Sequence, residues 1–203
     1  THVYVFNRGE GILDKEEKEL AELSYQYLEE DGVEFVNNFS TSKLSNDKEG
    51  KVVVEDGDKS YSVDALLMAT GRKPNTDGLG LDNTGIEVDD KGFVKVGDDL
   101  QTSVTGIYAV GDINGGPQFT YISLDDFRIV KSQVLGDGSY NLSKRTNVAH
   151  THFLNPPLAA VGLTEAQAKE EGYTVKTNTV DVSAMPRGHV NGDLRGRFKV
   201  VLD

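Results

Sequence analysis

The chain has 203 residues, of which 37% are hydrophobic and 27% charged, with a formal net charge of −12 and no cysteine. That size and balance describe a soluble globular chain with enough apolar residues for one or two cores, not a disordered tail. The acidity speaks against nucleic-acid phosphate or an anionic membrane as partner, and without cysteine no disulfide, thiolate metal site or redox dithiol can be built from these residues.

The chain opens on a β-like run, Val3-Tyr4-Val5-Phe6, followed by Asn7-Arg8-Gly9-Glu10-Gly11. A helical pattern then runs from Asp14 to about Glu30, with Asp14 as candidate N-cap and Glu17 three residues later. Leu20, Leu23, Tyr27 and Leu28 recur at helical spacing, and Gly32 suits the left-handed turn that ends the helix. Val33 to Val36 reads as a second strand, completing a βαβ unit. Lys51–Glu55 and Lys59–Val63 form a predicted hairpin around Asp56-Gly57-Asp58.

Two continuous apolar runs, Ala65–Ala69 and Gly106–Val110, have the character of strands covered on both faces. The first leads into Thr70-Gly71-Arg72-Lys73-Pro74-Asn75 and the second into Gly111-Asp112. Ser123 to Leu135 is a predicted helix whose buried side would carry Leu124, Phe127, Ile129, Val130 and Val134. Near Val148 the texture changes and a new domain is expected. There Asn155-Pro156-Pro157 breaks the chain, and Thr164 caps a short helix through Glu171, ahead of Gly172. Arg197 to Asp203 alternates like a strand with no turn or partner after it, so both ends read as cuts through a larger fold.

Gly9-Glu10-Gly11 after a strand invites the dinucleotide fingerprint, but its third glycine position falls on Asp14, a carboxylate where a phosphate would approach the helix. A better register makes Val3–Phe6 the second strand of a dinucleotide fold, with Asn7 and Arg8 at the adenosine ribose. On charge Arg8 suits the 2′-phosphate of NADP, although an exposed arginine at a strand end is also an ordinary surface residue. Gly71 and Gly111-Asp112 each follow a predicted buried strand, where open α/β sheets collect ligands. Glycine lets the backbone approach a cofactor and aspartate accepts from sugar hydroxyls; a turn glycine and a capping aspartate are the plain alternatives.

Taken together, Ala69–Thr76 and Thr105–Asp112 resemble, in order and spacing, the paired late motifs of the class I pyridine nucleotide-disulfide oxidoreductases. This is the family of glutathione reductase, dihydrolipoamide dehydrogenase and mercuric reductase, and the resemblance covers essentially the whole chain. Gly116 to Asp126 departs from the usual alanine-histidine pattern and looks closer to the mercuric-reductase-like branch associated with resistance to reactive chlorine species.

The resemblance implies an α/β fold made of parts of two Rossmann-like dinucleotide-binding domains plus the start of an α+β dimerisation domain. Residues 1–71 would be the later part of the NAD(P)-binding domain, 72–147 the returning segment of the FAD-binding domain, and 148–203 the beginning of the dimerisation domain. It implies that Asp112, after Gly111, binds the ribityl chain of FAD and that Gln118, Phe119, Thr120 and Tyr121 line the flavin ring. Gly71 and Phe39 would lie near the nicotinamide dinucleotide, with Asn7 and Arg8 at its adenosine ribose.

The parent is then expected to be a cytoplasmic homodimer that passes electrons from NAD(P)H through FAD and a dithiol to a disulfide or small oxidant. The redox cysteines, the first FAD glycine loop and the assisting histidine-glutamate pair of the family have no counterparts here, and no residue of the chain is assigned a catalytic role. Two alternatives follow from that lack: a non-catalytic binding or interaction module, and a flavin enzyme without a dithiol.

His150 and His152 alternate along a predicted strand and so share a face, as metal ligands can. No third ligand stands at matching spacing, and they are expected to be surface or domain-contact histidines, with no metal site. His2 lies at one end and His189 in a predicted loop, and no Ser-His-Asp or paired-carboxylate set follows from spacing. No run approaches the roughly 18 apolar residues that cross a bilayer.

Overall fold

In the computed structural model, which describes residues 1–203, the apolar residues of the opening run form β1 (Val3–Phe6). Helix α1 (Lys18–Glu30) leads to β2 (Val33–Val36), which pairs with β1 in parallel, Val3 opposite Val33 and Phe6 opposite Val36. Gly32 makes the intervening turn at φ 93°, where a side chain would be strained. The helix starts later than the sequence predicts. Leu13 adopts φ 61° and accepts from Glu16 N at 2.9 Å, which makes residues 13–16 a turn; Glu17 is the N-cap position and no side chain caps it.

Next comes an antiparallel meander of β3 (Lys43–Asn46), β4 (Val52–Asp56) and β5 (Lys59–Val63), which contains the expected hairpin. Its core holds Val36, Phe39 and Val54, with Tyr4, Phe6, Tyr61 and Leu66 packed around them. Rings supply much of that packing, with Phe6 4.6 Å from Phe39 and 5.1 Å from Tyr61 between centroids.

Farther along stand α2 (Thr120–Leu135), β6 (His150–His152), β7 (Leu158–Ala160) and α3 (Glu165–Glu170). The chain ends through β8 (Lys176–Asp181), α4 (Pro186–Asn191) and β9 (Arg197–Leu202). Antiparallel pairs join β6 to β7 and β8 to β9, so the closing strand has a partner before it rather than after it. Thr164 caps α3 as expected, through a reciprocal capping box with Gln167. Two compact units result: Thr1–Met68 together with Ala149–Asp203, and Ala69–Val148.

Two expectations fail in instructive ways. Ala65–Ala69 is not a strand, and Leu67 and Met68 are exposed. Gly106–Val110 contributes only a single bridge, Tyr108 to Gln101, and Ile107 and Val110 are exposed. A buried parallel strand exists by virtue of its neighbours on both edges and both faces; no strand pairs with Ala65–Ala69, and Gly106–Val110 has only the antiparallel contact with residues 100–102 along one edge. On α2 the buried residues are Ile122, Asp125, Asp126 and Ile129, whereas Leu124, Phe127 and Val134, read as core from the sequence, face outward.

Candidate cofactor site

Beyond Val110 the chain makes one 3-10 turn, Gly111–Asn114. Gly111 has φ 73°, a backbone conformation that favours glycine, and a Cβ there would sit 2.7 Å from Ser123 Oγ, so the serine hydroxyl would have to turn away. Asp126 of α2, at 0% exposure, accepts from Gly111 N at 2.7 Å and from Asn114 Nδ2 at 3.1 Å. Asn114 also donates to Ala109 O at 3.2 Å and accepts from Gly116 N at 3.0 Å. The turn is thereby pinned from inside by the side chains of Asn114 and, from α2, Asp126, which leaves Asp112 exposed and without a hydrogen bond or ion pair.

Asp126 is itself held. Arg145 donates through Nη2 to Asp126 and through Nε to Asp125 Oδ2 at 2.7 Å, and Tyr140 Oη donates to Asp125 Oδ1 at 2.7 Å. Burial pushes the Asp125 carboxyl up, but the hydrogen bonds from Tyr140 and Arg145 outweigh it and hold the group below the usual carboxylate range. The same contact with Asp125 pushes the Tyr140 phenol up. Two buried acids with one bidentate arginine are a satisfied charge network, and it anchors the turn that carries Asp112.

Asp112 and Gln118 line an open cleft of about 570 Å³ together with Arg72, Pro74, Val110 and Ile113. Arg72 Nη1 donates to Gln118 Oε1 at 3.2 Å across this cleft. Of the other residues expected to meet the flavin, Phe119 and Tyr121 stack with centroids 5.9 Å apart, and Thr120 is the exposed first residue of α2. Gly71, exposed at φ 128°, has open space where a Cβ would stand. A free carboxylate accepts from vicinal hydroxyls, and the neighbouring guanidinium suits a polar, electron-rich ligand. These groups fit a polyol-bearing flavin.

The dinucleotide end of β1 is built differently. Asn7 Nδ2 donates to Gly11 O at 2.6 Å, Gly9 O at 3.2 Å and Asn37 Oδ1 at 3.3 Å, so its amide shapes the loop. Backbone bonds from Asn38 N to Gly9 O and Phe39 N to Asn7 O close the same loop against the end of β2. Phe39 is 1% exposed and packs into the core, which leaves it no side-chain surface to offer a ligand as the molecule stands. Arg8 is exposed and engages no partner.

Asp126, Arg145 and Arg72 were not singled out from the sequence. The adjacent acids Asp125 and Asp126 on what should be a core face of a helix were the available signal. His150 and His152 do share one face of β6, and Glu16 reaches both. His2 instead contacts Glu34 at 3.0 Å, and His189 the Ser183 carbonyl at 2.9 Å.

The sequence profile of the pyridine nucleotide-disulphide oxidoreductases matches residues 1–126, and the profile of their dimerisation domain matches residues 148–203. The chain belongs to this family. Among curated oxidoreductases of the family, the probable pyridine nucleotide-disulfide oxidoreductase RclA of Escherichia coli (strain K12) is 40% identical over 95% of this chain and 43% of its own length. A mercuric reductase of Staphylococcus aureus is 36% identical over 100% of this chain and 38% of its own. The solved structure of the HOCl-induced flavoprotein disulfide reductase RclA from Escherichia coli superposes with a TM-score of 0.96 at 38% identity, covering 100% of this chain and 46% of that one. The chain thus spans less than half the length of these oxidoreductases. The α/β class and the family expected from the Gly71 and Gly111-Asp112 motifs are both correct.

Proposed function

We propose that the protein carrying this chain is an FAD- and NAD(P)H-dependent oxidoreductase. The observation that carries the proposal is the Gly111–Asn114 turn, fixed from within by Asp126 and presenting an unpaired Asp112 carboxylate to a cleft. FAD, when bound, would take a hydride equivalent from NAD(P)H and release two electrons to a disulfide or small oxidant. This chain's residues bind and orient. Asp112 accepts from ribityl hydroxyls, Gln118 and the Phe119–Tyr121 segment border the ring, and Gly71 keeps a close approach open. Arg8 offers the charge that a 2′-phosphate would meet.

Residues 1–71, 72–147 and 148–203 then supply parts of the NAD(P), FAD and dimerisation domains, in a homodimer placed in the cytoplasm. No helix is long and apolar enough to cross a membrane. The absent cysteines leave the dithiol to be supplied from outside these residues, and give the reading as a non-catalytic module its one support.

The test is the absorbance spectrum of the full-length protein purified from its source, beside its Asp112→Ala variant. The wild type is expected to be yellow and bleached by NADPH or NADH under anaerobic conditions. The variant is expected to lose flavin on dialysis while keeping its fold by circular dichroism. A colourless full-length wild type would overturn the proposal in favour of the binding module, and a variant that retains flavin as firmly as the wild type would remove Asp112 from the site.

A further inference from the structure

Residues 13–16 form the turn before α1, and β6 passes beside it. The period of a strand puts His150 and His152 on one face, with Thr151 on the other. Both imidazoles aim at one carboxylate. Glu16 Oε1 lies 2.9 Å from His150 Nε2 and 3.0 Å from His152 Nε2, and Glu16 Oε2 lies 2.9 Å from His150 Nε2. The three donor atoms fall within 4.8 Å of one another. A tetrahedral ion with bonds of about 2.0–2.1 Å holds its ligands roughly 3.3 Å apart, so the two contacts to Glu16 are already close enough and the two imidazole nitrogens would have to come no more than about 1.5 Å closer.

Charge argues in the same direction. The Glu16 side chain is 8% exposed, yet its only ion-pair partners are the two histidines; no Lys or Arg reaches it. With no lysine or arginine in reach, a divalent cation seated among the three groups would give this largely buried carboxylate a permanent counter-charge. The side chains of His150 and His152 are partly exposed, which leaves an entry path and a free coordination position for water.

We propose that Glu16, His150 and His152 form a binding site for a divalent late first-row transition ion such as zinc, separate from the cofactor cleft. Two imidazole nitrogens and one carboxylate oxygen select such an ion over magnesium or calcium, which prefer all-oxygen shells. The ion would clamp the entry turn of α1 to β6, joining segments 134 and 136 residues apart in the chain.

The test uses the full-length protein, stripped with a chelator and titrated with zinc against a chromophoric competitor. Wild type and Thr151→Ala are expected to hold one zinc per chain more than Glu16→Gln and His152→Asn, and zinc is expected to raise their melting temperature but not that of the two ligand variants. Equal zinc stoichiometry in wild type and ligand variants would overturn the site. A second measurement needs no variant: zinc should protect His150 and His152 of the wild type from diethyl pyrocarbonate, located by peptide mass. Labelling of both that is unchanged by zinc would overturn it as well.

Discussion

Arg145 divides one guanidinium between two acids, giving Nε to Asp125 and Nη2 to Asp126, with about a tenth of each of its own and Asp125's side chains exposed and none of Asp126's. Burial works against the charge, but the bonds to Asp126 and Asp125 hold the guanidinium firmly protonated. Removing the arginine would leave two buried carboxylates uncompensated, a class of change that costs about 3–5 kcal/mol. Arg145→Ala is therefore expected to lower the denaturant midpoint strongly. Arg145→Lys should recover little of it, because one ammonium cannot reproduce the two-pronged geometry. Since Asp126 also accepts from Gly111 N, the same variants should loosen the turn that presents Asp112. Chemical denaturation of wild type and both variants measures the first effect. A midpoint for Arg145→Ala within the scatter of the wild type would mean that the network is not a structural anchor.

At the scale of elements, Lys199 on β9 gathers the N-termini of two helices. Its Nζ lies 2.9 Å from Glu17 Oε1, 2.7 Å from Glu165 Oε2 and 3.5 Å from Glu19 Oε1. Lys169 and Lys199 both donate to Glu165 and pull its carboxyl down to about 2. A folded-state value below the ordinary one means that stability is present above the unfolded value and lost as pH falls toward the folded one. Wild type is thus expected to lose stability between about pH 5 and pH 2, and Glu165→Gln to start modestly less stable at pH 7, show a flatter loss, and converge with wild type near pH 2. Melting temperatures across that range decide it; parallel curves would show the ion pairs to be fully screened.

Local pattern made several elements legible. Val3–Phe6, the Gly32 turn, the Asp56-Gly57 hairpin and the Thr164 N-cap each carry their instruction within a few residues, and each is where the sequence placed it. Strand β3 was missed because Lys43-Leu44-Ser45-Asn46 contains one apolar residue and owes its state to pairing with β4. The start of α1 was misplaced because Leu13 takes a left-handed conformation that no leucine advertises. Ala65–Ala69 failed in the opposite direction: its composition asks for neighbours on both faces, which this chain does not provide. For the candidate site, the position of Gly111 and Asp112 after an apolar run was enough to nominate them, whereas the Asp126–Arg145 brace and the approach of Glu16 to two distant histidines depend on tertiary contacts that no spacing encodes.

Across the whole molecule, apolar surface remains where a water-exposed protein would not keep it. Tyr121, Leu124, Phe127 and Val134 are exposed at helical spacing along α2, and Phe198, Val200 and Leu202 are exposed on alternate positions of β9. Phe153 is 93% exposed and Leu67 87%. A stripe on a helix and one face of a two-stranded hairpin are continuous surfaces rather than scattered residues, and such surfaces mark contacts with other protein. The 203-residue chain by itself is therefore expected to self-associate, eluting above its 22.1 kDa mass in light-scattering chromatography and melting over a broad range. Phe198→Lys should shift the distribution toward the monomer by placing a charge in the middle of the hairpin face. A clean 22.1 kDa monomer with one cooperative transition would mean that these faces are tolerated in water, and the argument that they serve as docking surfaces for the rest of an oxidoreductase would lose its physical basis.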